Sequence, residues 1–156
     1  MSNIEIERRF LLCNDSWRKS VCETLLLQQG YLSVEKDRTI RVRISGNRAW
    51  LTLKAYLSPI SRHEFEYEIP LNDAQTMLAS MCPFKVEKQR HIVDYQGFTF
   101  EIDEFFGENA PLILCELELV SETAEYPRPD WLGEEITSDG RFSNAYLSKH
   151  PFSTWK

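Results

Sequence analysis

Residues 3–10 read Asn3-Ile4-Glu5-Ile6-Glu7-Arg8-Arg9-Phe10, and this alternation decides how the rest of the chain is read. Successive side chains of a β-strand point to opposite faces. One face of this segment carries Glu5, Glu7 and Arg9; the other carries Ile4, Ile6, Arg8 and Phe10. The same rhythm recurs downstream. Arg41 and Arg43 share a face against Ile40, Val42 and Ile44, and Thr52 and Lys54 oppose Leu51 and Leu53. Arg62, Glu64, Glu66 and Glu68 oppose Phe65, Tyr67 and Ile69. Lys88 and Arg90 share a face, Glu101 and Asp103 oppose Phe100 and Ile102, and Glu116 and Glu118 oppose Cys115, Leu117 and Leu119.

This periodicity predicts strands near 3–12, 30–35, 38–45, 48–56, 61–69, 85–94, 97–106 and 112–120. Ser45-Gly46-Asn47 and Gln96-Gly97 read as hairpin turns. Trp17, Val21 and Leu25 recur at a spacing of four, which predicts a helix from Ser16 to Gln28 with Asp15 or Ser16 as N-cap. A second helix is expected over Asp73–Met81, capped by Asn72 or Asp73, and a short one over 142–149. Tyr126 to Arg141 reads as a loop bearing Pro and Trp. Many strands with few helices between them place the chain in an α+β, mostly β class with an antiparallel sheet, not βαβ units.

At 156 residues the chain is expected to form one domain. No apolar stretch is long enough to span a bilayer. The N-terminus enters the alternating pattern at once, so no secretory leader is expected. Cys13, Cys22, Cys82 and Cys115 are scattered, with no C-x-x-C pair, which fits reduced thiols and a cytoplasmic location. A net charge of -6 argues against a general nucleic-acid surface. No Gly-rich phosphate loop is present. His63, His91 and His150 read as structural histidines, and the tryptophans as packing groups.

The charged rows carry the functional reading. A solvated sheet intersperses both signs, whereas several of these faces hold two or three like charges about 7 Å apart. Such rows make sense if counter-ions of the other sign sit against them. Carboxylates from several strands would hold a hard cation, Mg²⁺ or Mn²⁺, and Arg and Lys rows would hold phosphate oxygens. The charged faces are therefore expected to converge inside a closed sheet. The apolar faces then point outward, under helices, loops or the second subunit of a homodimer.

The opening E-I-E-R-R-F resembles the E-x-E-x-K signature of the CYTH superfamily, the triphosphate tunnel metalloenzymes. The resemblance continues through R-T-I-R-V-R, L-T-L-K, S-R-H-E-F-E-Y-E-I-P, E-K-Q-R, F-E-I-D-E-F, C-E-L-E-L, D-W-L-G-E-E and L-S-K-H-P-F. It implies a closed antiparallel eight-stranded β-barrel, or tunnel, with a few covering helices. It also implies a metal-dependent triphosphatase, most simply of inorganic triphosphate, with a class of adenylate cyclase and a non-catalytic polyphosphate binder as alternatives. Carried over by position, the metal-binding carboxylates are Glu5, Glu7, Asp103, Glu116 and Glu118. The phosphate-binding cations are Arg9, Arg41, Arg43, Lys54, Arg62, Lys88 and Arg90, and Glu7, Arg9 and Glu118 stand at the catalytic positions. Glu64 and Glu66 match tunnel positions without a fixed role, and Lys149 resembles a basic residue near the tunnel mouth. The family's motif lysine is Arg9 here. Arginine can bind phosphate but stays protonated, so it cannot deliver a proton to a leaving group.

Overall fold

In the computed structural model, which describes residues 3–155, alternation is realised as β1 (Ile4–Leu12), β2 (Val21–Val34), β3 (Arg38–Ser45), β4 (Arg48–Tyr56), β5 (Ser61–Ile69), β6 (Phe84–Tyr95), β7 (Phe98–Phe105), β8 (Ile113–Glu118) and β9 (Leu132–Glu135). The wall runs β5-β4-β3-β2-β6-β7-β8-β1, every pair antiparallel, and β1 returns to β5 through Ile4↔His63, Glu5↔Arg62 and Ile6↔Ser61. Eight strands thereby close into a barrel. β1 serves two neighbours along one edge: beyond the β5 pairing, its Phe10 and Leu12 pair with the added strand β9. The segment expected as loop over 126–141 thus contains a strand.

The helix expected over Ser16–Gln28 does not form. Only Ser16–Ser20 coils, as a 3₁₀ turn, and Val21–Val34 is a strand of 14 residues. β2 pairs with β6 from Val21↔Val93 to Tyr31↔Phe84 and with β3 from Leu27↔Ser45 to Val34↔Thr39. Without it both neighbours would expose unpaired edges, so sheet hydrogen bonding outweighs local helical spacing. Register shifts at 21/23 and 31/33 also break the two-residue rhythm, which hides the strand in the sequence. Trp17, read as a helix-stripe residue, is fully buried and lies 5.2 Å from the His91 ring.

The two helices lie near their expected places. α1 (Leu71–Ser80) starts after Pro70 without a side-chain cap from Asn72 or Asp73. It packs Ala74, Met77 and Leu78 over Val42, Ile44 and Ala49. Gly30 permits a close approach there, since a Cβ would lie 2.7 Å from both Cys82 Cβ and Leu78 Cδ2. α2 (Asn144–Lys149) is capped by Ser143, whose side chain accepts from the Tyr146 amide. No helix among the described residues is long and apolar enough to cross a membrane.

The apolar faces point outward, as expected. Phe10, Val93, Phe100 and Leu117 are buried under Trp17, Leu119, Trp131 and Leu132. Ile4, Leu53, Phe65 and Tyr67 remain exposed on the outer strip around β5. The interior is not charged throughout. On the inward parity, Leu11 follows Arg9, Val86 precedes Lys88, Phe105 follows Asp103 and Leu114 precedes Glu116. Val86, Phe105 and Leu114 pack with Leu112, Ile136, Phe142 and Leu147, and Leu11, Phe152 and Trp155 join them. The C-terminal segment therefore plugs one end of the bore, each buried Leu or Phe contributing roughly 1.5–3 kcal/mol.

A charged tunnel as the candidate active site

The rest of the bore is a cavity of about 960 Å³. Glu5, Glu7 and Arg9 reach it from β1, Arg41 and Arg43 from β3, Lys54 from β4 and Arg62 from β5. Lys88 and Arg90 enter from β6, and Glu116 and Glu118 from β8. Glu64, Glu66, Glu101 and Lys149 also line it. Of the sequence-expected site residues, Asp103 alone stands behind this lining, with 1% of its surface exposed.

Asp103 is held from both sides. Lys88 Nζ donates to its Oδ2 at 2.6 Å, Arg90 Nε to Oδ1 at 2.8 Å and Arg90 Nη2 to Oδ2 at 2.9 Å. Arg90 also reaches Glu101 at 3.1 Å and Glu116 Oε1 at 2.9 Å. The other Glu116 oxygen accepts from Arg9 Nη2 at 3.2 Å, and the same nitrogen lies 3.2 Å from Glu7 Oε1. Burial works against the Glu116 charge, but a hydrogen bond from Glu7 and the cations Arg9, Lys88 and Arg90 hold its carboxyl well below the usual range. Glu7 is the reverse: burial, then the neighbouring Glu116, pushes it well above. The two carboxyls are thus pushed apart, Glu116 toward the ionised form and Glu7 toward the protonated one. A second pair repeats the logic: burial opposes ionisation of Glu5, but Lys54 at 2.9 Å keeps it lowered, while burial raises Glu64 beside it.

The cations are not all matched. Arg43 has no carboxylate within ion-pair distance among the described residues; its Nε donates to Gln29 Oε1 at 3.1 Å. Burial, with Arg41 and Arg90 close by, pushes it down to about 9. Arg41 reaches Thr52 Oγ1 at 3.3 Å and Glu66 only at 3.7 Å. Arg41 Nε and Arg9 Nε are buried without a partner. Two guanidinium nitrogens on the bore wall are thus free to take an acceptor. Lys88 is pushed down to about 8 by burial, resisted by Asp103 and reinforced by Arg90.

Reading by charge missed the neutral members. Tyr31 and Thr52 line the cavity and are buried, Gln29 is buried beside them, and Asn144 enters from α2. Tyr31 and Gln29 lie two apart on β2, a signal obscured by that segment's helical spacing. Asn144 left no signal at all.

Among the described residues, no three carboxylate, thiol or imidazole groups stand together as a ready metal cage. The donor chemistry nonetheless fits a hard cation, because Glu7 pairs with Glu118 across the β1–β8 ladder and Glu101 with Glu116 across β7–β8. A hard cation of this kind is held by one or two carboxylates, water and phosphate oxygens of its substrate.

A closed antiparallel barrel with inward carboxylate and cation rows, two of its guanidinium nitrogens unpaired, defines a tunnel protein for a compact polyanion. The model of the CYTH domain matches residues 3–145. An inorganic triphosphatase of Acetivibrio thermocellus is 42% identical over 153 residues, 97% of each chain. One of Nitrosomonas europaea is 34% identical over 148 residues, 92% of this chain and 96% of that one. A solved structure of an inorganic triphosphatase aligns with a TM-score of 0.68 at 33% identity, covering 92% of this chain and 93% of that chain. The chain belongs to the CYTH domain family.

Proposed function

We propose that the protein hydrolyses inorganic triphosphate to pyrophosphate and orthophosphate with Mg²⁺ or Mn²⁺. The observation that carries this reading is the pair of buried Arg41 and half-buried Arg43, short of carboxylates, facing a bore whose other wall is rich in them. Triphosphate lies along the cations: Arg41, Arg43, Lys54, Arg62, Lys88, Arg90 and Arg9 neutralise its oxygens and fix its line. Their guanidinium forks and ammonium groups are pre-arranged on strands, so charge building up on the leaving pyrophosphate meets donors that need not reorganise. Glu7, Glu116 and Glu118, with Glu5 nearby, hold the metal. A metal held there by Glu7, Glu116 and Glu118 would supply Lewis-acid charge neutralisation and an acidified water. In this reading Asp103, which stands behind the cavity lining, is the counter-ion that fixes Lys88 and Arg90. Lys88, enclosed between Asp103 and Asn144, adds an ammonium to the cations that face the bore. Incubation with Mg²⁺ or Mn²⁺ and, separately, triphosphate or ATP tests the assignment. Orthophosphate and pyrophosphate from triphosphate are expected. Cyclic AMP from ATP, or no product from either, would reject it.

A further inference from the structure

Asn144 is the first residue of α2 and comes from the C-terminal segment, far in sequence from the charged strands. Its orientation is fixed by chemistry. Lys88 Nζ can only donate, and it lies 2.8 Å from Asn144 Oδ1. Gln29 uses its Oε1 to accept from Arg43 Nε at 3.1 Å, so its amide nitrogen must be the group that donates to Asn144 Oδ1 at 3.2 Å. Two donors therefore converge on Oδ1, and the amide cannot be turned around without placing its own NH₂ against an ammonium. Asn144 Nδ2 has no partner among the described residues, and Asn144 lines the tunnel cavity.

One carboxamide thus joins two cations of different strands. It touches Lys88 of β6 directly and Arg43 of β3 through Gln29, and Gln29 Nε2 also reaches the Tyr31 hydroxyl at 3.3 Å. Position is enforced by Ser143, which caps α2, and by Leu147 of the same helix, buried in the plug. A residue needed only to pin the tail could have satisfied Lys88 and Gln29 with a carboxylate, which binds ammonium more strongly. A carboxylate there would repel an anion. The neutral amide keeps the acceptor side for the protein and leaves a donor side for the bore.

We propose that Asn144 is a substrate-positioning residue: Nδ2 donates to a phosphate oxygen of the polyphosphate while Oδ1 aligns Lys88 and, through Gln29, Arg43. The inference rests on the tunnel being the triphosphate site. The test compares the parent with Asn144→Ala and Asn144→Asp, measuring metal-free triphosphate affinity by calorimetry, melting temperature, and KM and kcat with Mg²⁺. Loss of a hydrogen bond to a charged acceptor predicts triphosphate binding weaker by about ten- to a hundredfold in Asn144→Ala, with KM rising in parallel. Asn144→Asp keeps the shape and the acceptor but loses the donor and adds a charge. It should melt at or above the parent temperature and bind triphosphate more weakly than Asn144→Ala. An Asn144→Asp variant that binds as the parent does overturns the proposal. So does an Asn144→Ala variant that loses stability while its affinity is unchanged. A parent that binds triphosphate but releases no orthophosphate refutes the hydrolase reading alone, and the affinities still judge Asn144. A parent that neither binds triphosphate without metal nor turns it over with Mg²⁺ overturns both.

Discussion

Lys88 offers a direct measurement of the tunnel's electrostatics. Its ammonium is enclosed, 2.6 Å from Asp103 Oδ2 and 2.8 Å from Asn144 Oδ1. Burial, resisted by Asp103 and reinforced by Arg90, brings it from 10.5 to about 8. Such a displacement sets about 3 kcal/mol against the charged form. In the unfolded chain the same lysine titrates near its ordinary value. From pH 8 to 10.5 the unfolded chain therefore holds more protons than the folded one, and the contribution of Lys88 to stability rises with pH across that window. Below it the full penalty stands. A bound polyanion reverses the balance by favouring the ammonium. At pH 9 about nine-tenths of Lys88 is neutral in the empty tunnel, so triphosphate binding should draw in up to about 0.9 proton there and little at pH 7. Calorimetry in buffers of differing ionisation enthalpy counts those protons. Lys88→Met, which keeps the unbranched stem and leaves Arg90 on Asp103, supplies the reference in which the ligand's own proton balance cancels. A parent-minus-variant difference near zero at every pH between 8 and 10.5 would show that Lys88 does not feel the ligand.

Two further perturbations address the carboxyl cluster. Arg9 bridges Glu7 and Glu116, and Arg90 still holds Glu116 when it is removed, so Arg9→Ala should lose stability and should also weaken triphosphate binding. Arg9→Lys should hold affinity within about tenfold; melting curves and titrations decide, and a parent-like alanine variant would remove Arg9 from the site. Glu7 is raised by burial and by Glu116, so its ionisation, as pH climbs from the ordinary carboxyl range through its raised value, removes stability. Glu7→Gln should therefore melt at or above the parent temperature at pH 8, yet need more Mg²⁺ for half-maximal turnover; an unchanged metal requirement would exclude Glu7 as a ligand.

The strands that alternate between unlike chemistries were legible almost to the residue. β3, β4 and β5 span 38–45, 48–56 and 61–69 as expected, because each sets charge against hydrocarbon and the β3–β4 turn places Gly46 at φ 61°. β2 was not legible, for two reasons. Its bulges shift the parity, and its inward Leu27, Gln29 and Tyr31 are neutral, so no row of charge marks the face. The plug was hidden differently. Leu11, Val86, Phe105 and Leu114 share the parity of the charged rows and look like ordinary apolar positions until residues 136–155 fold back upon them. Contacts between segments so distant in sequence leave no periodic trace, and Asn144 belongs to the same class.

Like charges repeat along several strands, and opposite charges meet across some ladders, where Arg90 faces Asp103, Glu5 faces Arg62 and Lys54 faces Glu64, while Glu7 faces Glu118 and Glu101 faces Glu116. Part of the repulsion along the chain is thereby relieved around the bore. Imbalances survive on both the cationic and the acidic walls. Among the described residues Arg43 has no carboxylate within ion-pair distance and Arg41 only a distant one, while burial and Glu116 make Glu7 hold its proton more tightly than an ordinary carboxyl. Taking apart a buried pair leaves a charge uncompensated and is strongly unfavourable, so ligands gain most where no pair must be broken. An anion at Arg41 and Arg43 supplies the charge they lack, and a cation at Glu7 replaces the proton with a stronger partner. Each ligand also creates the field that favours the other, which is the physical basis for expecting metal and triphosphate to bind this tunnel together.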